Sequence, residues 1–130
     1  MLSEIMRTTL KAIPYGTPVV EAAEKMRQEK IGGLLVEQNG RFVGLLTDTD
    51  IVRRGVGARK NLDQTKVEDL MTTTLPTIQV SRTSHEAFDM MGELGLRHLL
   101  ISEGDKIVGL VSMRDLLLHF KSYEPGIGVD

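Results

Sequence analysis

The sequence predicts an α/β protein of the α+β type, built from two tandem β-α-β-β-α repeats that pack about a pseudo-twofold axis. The first observation is an internal repeat. Shifted by 65 positions, the chain aligns with itself without a gap and gives 14 identities over 51 positions. The second is strand-like and helix-like hydrophobic spacing that alternates within each copy, and the third is a hairpin signal, Asn39-Gly40, between two apolar runs. A unit of about 50 residues is marginally stable alone, so the two copies are expected to share one core.

The individual strands and short helices are predicted from apolar runs and turn signals. Strands are expected at residues 10–13, 31–36 and 42–46 in copy one and at residues 75–80, 96–102 and 107–111 in copy two. Each copy ends in a helix, at Asp48–Gly55 and Arg114–Phe120. Residues 65–71 resemble Leu2–Met6, and both segments are predicted to form short lead-in helices.

The first long helix of each copy has an apolar face and a start signal. In copy one Thr17-Pro18 is predicted to supply the N-cap and the first helical position, and in copy two Thr83 and Glu86 have the spacing of a capping box. The apolar positions of copy one follow the i, i+3, i+4, i+7 rule: Val19, Ala22, Ala23 and Met26. The apolar faces at Ala22–Met26 and Ala87–Met91 exceed what a two-copy core could cover, which predicts a homodimer.

The domain limits follow from the repeat. We expect one module over residues 1–130, divided into repeat one (2–56), a linker (57–64), repeat two (65–121) and a loose tail (122–130).

Composition excludes several classes of protein. The chain has no cysteine, which excludes disulfides and thiolate metal sites, and its 16 basic and 18 acidic residues disfavour a nucleic-acid binder. No apolar run has the length of a signal peptide core or a membrane span, so a cytoplasmic protein is expected. His85, His98 and His119 lack metal-ligand spacing, so no metal site is predicted. The common hydrolase and nucleotide-cleaving motifs are missing, so no enzyme is expected.

One motif recurs where each copy passes from its last strand into its last helix. It pairs a hydroxyl with an aspartate three residues later, as Thr47 with Asp50 and Ser112 with Asp115. The spacing is that of a variant capping box, and on spacing alone a purely structural role is the simpler interpretation. The same pair could accept hydrogen bonds from two neighbouring ribose hydroxyls, with free backbone N–H groups favouring an anion beside it.

The element order, the tandem copies and this doubled motif resemble a CBS-domain pair over about residues 2–121. The resemblance implies two clefts between the repeats that bind an adenosine-containing ligand: AMP, ADP, ATP or S-adenosylmethionine. It places the ribose-binding aspartates at Asp50 and Asp115 and their hydroxyl partners at Thr47 and Ser112. It further implies a homodimer that regulates an enzyme or transporter, with no required cofactor. The full set of implied ligand-binding residues is Ala12, Ile13, Ile31, Gly32, Thr47, Asp50, Arg53, Thr77, Ile78, Leu96, Arg97, His98, Ser112, Arg114 and Asp115.

The two copies differ in the basic residues near this motif. Copy two has Arg97, His98 and Arg114, whereas copy one has no basic side chain at these positions. Guanidinium groups match phosphate, so the second site is expected to bind phosphorylated ligands more tightly. These side chains could instead be solvated or, for His98, a core group. Arg53 could belong to a basic rim or to a solvated helix end. A ligand-free docking module and, remotely, a nucleotide-hydrolysing enzyme are the alternatives.

Overall fold

The computed structural model describes residues 1–123 and divides into two compact units. The first unit is Leu10–Leu75, and the second unit combines Met1–Thr9 with the described residues from Pro76 onward. The first unit contains β1 (Ala12–Pro14), α1 (Val19–Glu29), β2 (Gly33–Gln38), β3 (Arg41–Thr47), α2 (Asp48–Asp50), a π-helical segment (Ile51–Val56) and α3 (Val67–Leu70). The second contains a 3-10 turn (Leu2–Glu4), β4 (Thr77–Gln79), α4 (Ser84–Leu94), β5 (His98–Glu103), β6 (Lys106–Ser112) and α5 (Met113–Tyr123). The predicted α+β class and the β-α-β-β-α order are confirmed in both units.

Each unit has one three-stranded mixed sheet. The strand orders are β1-β2-β3 and β4-β5-β6, with the first pair parallel and the second antiparallel in each sheet. The predicted hairpin at Asn39-Gly40 is confirmed, and φ angles of 53° and 77° at these residues match the left-handed backbone that a type I′ turn requires. The register shifts at Val36/Glu37 in one sheet and at Ile101/Ser102 in the other, which are equivalent positions of the repeat.

Four of the six strands, β1, β2, β4 and β5, begin two residues later than the apolar runs predict. β2 and β5 start at Gly33 and His98, because the residues before them complete the ends of α1 and α4. The backbone N–H groups of Ile31 and Leu96 donate to the carbonyls of Met26 and Met91, beyond left-handed residues at the helix ends. Apolar side chains at a helix C-terminus therefore resemble the start of a strand in the sequence.

The two long helices begin by different means. The capping box of Thr83 and Glu86 is confirmed, with the Glu86 N–H 3.1 Å from Thr83 Oγ1. The prediction that Thr17 caps α1 is wrong, because the N-cap is Pro18 and the Thr17 hydroxyl donates to the Pro14 carbonyl at 2.7 Å. The first N–H groups of α1 instead donate to carbonyls of the segment before α3, at residues 62 and 65.

The apolar faces of α1 and α4 are covered by their own sheets. Ala22, Met26, Ala87 and Met91 are each at most 7% exposed and belong to the hydrophobic cores of the two units. Ala23, Phe88 and Met90 on the same helices are half-buried and pack against these cores, and the homodimer stays a prediction.

The lead-in segments are exchanged between the repeats. Met1–Thr9 begins repeat one in the chain but packs in the second unit, where Arg7 pairs with Leu110 on β6. The segment that begins repeat two packs in the first unit, where Thr72 pairs with Leu45 on β3. Leu2 and Val67 are fully buried in the cores that these segments join. Each compact unit is thus completed by residues from the other repeat.

Two predicted chain segments differ in the structure. The helix predicted at Asp48–Gly55 is α-helical only over Asp48–Asp50 and continues as a π-helix to Val56. The loose tail predicted from Ser122 is wrong for its first two residues, which belong to α5, where the Ser122 hydroxyl donates to the Leu118 carbonyl at 3.0 Å. The rest of the predicted tail, residues 124–130, lies outside the described part of the chain.

Candidate functional site

Each unit fixes a hydroxyl and a carboxylate side by side where its last strand ends. In the first unit the Asp50 N–H donates to Thr47 Oγ1 at 3.2 Å, and the Thr47 N–H donates to Asp50 Oδ2 at 3.0 Å. In the second unit the Asp115 N–H donates to Ser112 Oγ at 3.1 Å, and the Ser112 N–H donates to Asp115 Oδ2 at 2.9 Å. The predicted capping-box geometry is confirmed in both copies.

The second carboxylate oxygen has different surroundings in the two units. Asp115 Oδ1 accepts a hydrogen bond from the guanidinium of Arg7 at 3.2 Å. Within residues 1–123, the hydrogen bonds of Asp50 use its backbone N–H and Oδ2, and Oδ1 takes no part in them. A carboxylate can accept about four hydrogen bonds, so both aspartates keep acceptor capacity beyond their capping role.

The predicted basic residues of repeat two lie beside this pair. The register of the second sheet places His98 opposite Ser112, and the Arg97 carbonyl accepts from the Met113 N–H at 2.8 Å. Arg97 is exposed and His98 is half-buried. Arg114 is exposed in the first turn of α5. The structure therefore brings the polar residues predicted for this copy to one end of the second unit.

The first unit has a smaller and less basic version of the same arrangement. Gly33 lies opposite Thr47, and the Gly32 carbonyl accepts from the Asp48 N–H at 2.9 Å. A Cβ built on Gly32 would lie 3.1 Å from Asp48 Oδ2, so this carboxylate occupies the space that a larger side chain at residue 32 would need. At the position of Arg97 in the second unit, the first unit has Gly32, which lies beside the carboxylate of Asp48.

Neither arginine of the π-helical segment replaces the missing charge by a contact in the structure. Arg53 is exposed to solvent. The Arg54 guanidinium donates to the Leu70 carbonyl at 2.8 Å and thereby joins the π-helical segment to the end of α3. Arg54 therefore has a structural role within the first unit.

The predicted apolar site residues contribute core packing. Ile13 and Ile78 are 6% and 8% exposed and belong to the cores of their units. Ile31 and Leu96 are half-buried and pack against the same cores. These four side chains hold the strands and turns on which the polar pair depends.

Ala12 and Thr77 lie at equivalent positions on edge strands. The carbonyls of the preceding residues, Lys11 and Pro76, accept hydrogen bonds from the neighbouring strands β2 and β5. Alternate residues of a strand direct their N–H and C=O groups to opposite edges, so those of Ala12 and Thr77 point to the outer edge of the sheet. Ala12 and Thr77 each offer one donor and one acceptor at this outer edge.

Arg7 is a residue near the candidate site that the sequence analysis missed. It belongs to repeat one in the chain, and only the exchange of lead-in segments brings it to Asp115 of repeat two. A signal was present, since Met6–Leu10 and Met71–Leu75 differ only at one position, which is arginine in the first block and threonine in the second.

Two further properties bear on the class of site. In the part of the chain that the structure describes, no group of three or more metal-ligating side chains could hold a metal ion. Over the same residues, no helix combines the length and the hydropathy needed to cross a bilayer.

Comparison with curated proteins gives relatives along most of the chain. An uncharacterised protein of Methanopyrus kandleri, MK0525, is 32% identical over 100 residues, which are 75% of this chain and 51% of that protein. The chain thus spans about half the length of this relative. The CBS domain-containing protein YhcV of Bacillus subtilis is 28% identical over 123 residues, covering 95% of this chain and 87% of YhcV.

Solved structures and a family model agree with these relatives. An uncharacterised conserved protein from Pyrococcus horikoshii is 34% identical and superimposes with a TM-score of 0.85, covering 91% of this chain and 89% of the other. A CBS-domain protein from Burkholderia ambifaria, assigned provisionally to signal transduction, is 28% identical with a TM-score of 0.84, covering 95% and 88%. The model of the CBS domain matches twice, at residues 2–57 and 67–122. The chain therefore belongs to the CBS-domain family and carries the domain in tandem, as do proteins that often serve as regulatory or signal-transduction modules.

Proposed function

We propose that the chain is a regulatory module that binds an adenosine-containing ligand, with a ribose at Thr47–Asp50 and at Ser112–Asp115. The observation that carries the proposal is the position of the two carboxylates. In each unit a capping box fixes the aspartate through Oδ2 and leaves Oδ1 outside the box. The capping role uses only Oδ2, so in both copies Oδ1 is not needed for the cap and can contribute to ligand recognition.

Ribose recognition follows from the chemistry of this pair. The two neighbouring hydroxyls of a ribose are donors, and a carboxylate with acceptor capacity can receive both. The hydroxyls of Thr47 and Ser112 each accept one backbone hydrogen bond and still have a proton to donate. The outward N–H and C=O groups of Ala12 and Thr77 match the mixed donor and acceptor edge of an adenine. No catalytic step is assigned, and the ligand would control a partner enzyme or transporter.

The charges favour a phosphorylated ligand in the second unit. Arg97 and Arg114 are exposed near Asp115, whereas Gly32 and Thr49 stand at the equivalent positions near Asp50. Charge-assisted hydrogen bonds are about twice as strong as neutral ones. The affinity of the second unit for AMP should therefore exceed that of the first unit by about tenfold or more. S-adenosylmethionine, which carries little negative charge, should show a smaller difference.

A thermal-shift screen followed by calorimetry tests the proposal. AMP, ADP, ATP, NAD and S-adenosylmethionine are screened first, because a ligand that binds only the folded chain raises the melting temperature. The affinity of the best ligand is then measured for Asp115→Ala, which should lose about tenfold to a hundredfold. The matched control is Glu86→Ala, which removes the carboxylate of the Thr83 capping box away from the candidate site. Equal affinity for both variants would contradict the proposal.

A partner-docking module is the second candidate, and exposed leucines favour it. Leu117 and Leu118 on α5 are 50% and 53% exposed, and Leu94 at the end of α4 is 56% exposed. Since the inner faces of α1 and α4 are buried, a homodimer would have to use apolar residues of this kind. Binding of no adenosine compound, together with a stable dimer by light scattering, would favour docking over ligand sensing.

A further inference from the structure

Arg7 forms an ion pair with the aspartate that we assign to ribose binding in the second unit. Its Nη2 lies 3.2 Å from Asp115 Oδ1, the oxygen that the capping box leaves available. The side chain of Asp115 is only 12% exposed, whereas that of Arg7 is 53% exposed. The cation therefore lies at the surface, while the acid that it contacts is mostly buried and is held by the capping box.

The backbone of Arg7 is fixed although its side chain is exposed. The Arg7 N–H donates to the Leu110 carbonyl at 2.8 Å, and the Leu110 N–H donates back to the Arg7 carbonyl at 3.0 Å. The preceding residue, Met6, packs closely on Gly109 of the same strand. These contacts place the base of the Arg7 side chain beside the candidate site and leave its guanidinium free to rotate about the side-chain torsions.

A ribose at Asp115 would bind next to the Arg7 guanidinium. The Ser112 N–H takes one acceptor position of the carboxylate on Oδ2 and Arg7 takes one on Oδ1, so the ribose hydroxyls bind beside Arg7 or replace it. Exposed ion pairs contribute little stability, so the guanidinium can be displaced at low cost. A displaced guanidinium would still lie near the ligand, and its planar donors suit a phosphate oxygen pair.

We infer that Arg7 is a specificity-determining residue that makes the second-unit site select phosphorylated over unphosphorylated nucleosides. Adenosine offers Arg7 no new partner, whereas AMP supplies a phosphate that the guanidinium can bind. This inference rests on the proposed function and adds a residue from the other repeat to that site.

The first unit provides an internal control. Thr72 occupies the position equivalent to Arg7, with the same backbone pairing to Leu45 on β3. In the part of the chain that the structure describes, no ion pair joins a guanidinium to Asp50, and the first-unit site should discriminate less between adenosine and AMP.

Calorimetric titration of the full chain tests the inference. The Asp50→Ala background removes the first site, and dissociation constants for adenosine and AMP are measured with and without Arg7→Gln. We expect Arg7→Gln to weaken the binding of AMP about tenfold and to leave the binding of adenosine unchanged or slightly tighter. In the Asp115→Ala background, Thr72→Arg should raise the preference of the first site for AMP.

The outcomes separate the inference from the proposed function. An unchanged ratio of the two constants in Arg7→Gln, with AMP binding still lost in Asp115→Ala, would overturn the role of Arg7 and keep the nucleotide site. Equal weakening of adenosine and AMP would show that Arg7 is only structural and would also overturn it. Binding of neither compound to the unaltered chain would overturn both.

Discussion

Replacement of Gly109 by alanine should reveal how the exchanged lead-in segment packs on β6. A Cβ at Gly109 would lie 2.9 Å from Met6 Cγ and 3.1 Å from Met6 Cβ, and closer still to the sulfur. Such distances force the methionine to move, and overpacking of this kind costs about 1–3 kcal/mol. We therefore expect Gly109→Ala to lower the free energy of unfolding by this amount in urea denaturation.

Three further variants make the experiment specific. Met6→Ala combined with Gly109→Ala should cost less than the sum of the two single changes, because residues in contact show coupling of about 0.5–3 kcal/mol. Met71→Ala with Gly109→Ala should be additive, since Met71 packs on Gly44 in the other unit. Gly92→Ala, in an exposed part of α4 with open space around it, should stabilise the chain by about 0.5–1 kcal/mol. Additivity of Met6 and Gly109 would refute the exchanged packing.

Three other predictions concern a helix cap, the hydrogen bond from Arg54 to a backbone carbonyl, and an exposed apolar surface. Thr83→Ala should cost about 1 kcal/mol in urea unfolding. The Thr83 backbone N–H, aided by the Arg82 guanidinium, holds the pKa of Glu86 below its ordinary value, so the stability that the ionised Glu86 carboxylate adds is present at neutral pH and is lost as the pH falls through its folded-state pKa. Arg54→Met should destabilise the first unit by about 1–3 kcal/mol, because the Leu70 carbonyl loses a charged donor; an unchanged midpoint would contradict this role. Leu118→Ser should weaken any dimer in light scattering, and an unaltered dimer mass would exclude this surface.

The elements with local causes could be predicted from the sequence. The Asn39-Gly40 turn, the Thr83–Glu86 box and the two hydroxyl–aspartate pairs each depend on residues at most three positions apart. Their geometry follows from backbone hydrogen-bonding needs that a short motif meets by itself. Because the hydroxyl–aspartate pair recurs in both copies, its geometry in one copy also predicts that in the other.

The features that could not be predicted depend on contacts between residues that are distant in the sequence. The N–H groups that begin α1 are satisfied by carbonyls more than forty residues away, so Thr17 is not needed as a cap. The exchange of lead-in segments places Arg7 beside Asp115 across 108 positions of sequence. Local propensity contains no information on such pairs. The entry of Leu2 and Val67 into the cores from the opposite repeat could not be predicted for the same reason.

The most direct test of the central claim is calorimetric titration of AMP into the Asp50→Ala/Asp115→Ala double variant. We expect the double variant to bind no AMP while its melting curve stays cooperative. We expect Glu86→Ala to bind AMP with the affinity of the unaltered chain. Binding of AMP to the double variant with unaltered affinity would show that the two aspartates only cap helices, and would contradict the assignment of the ribose sites.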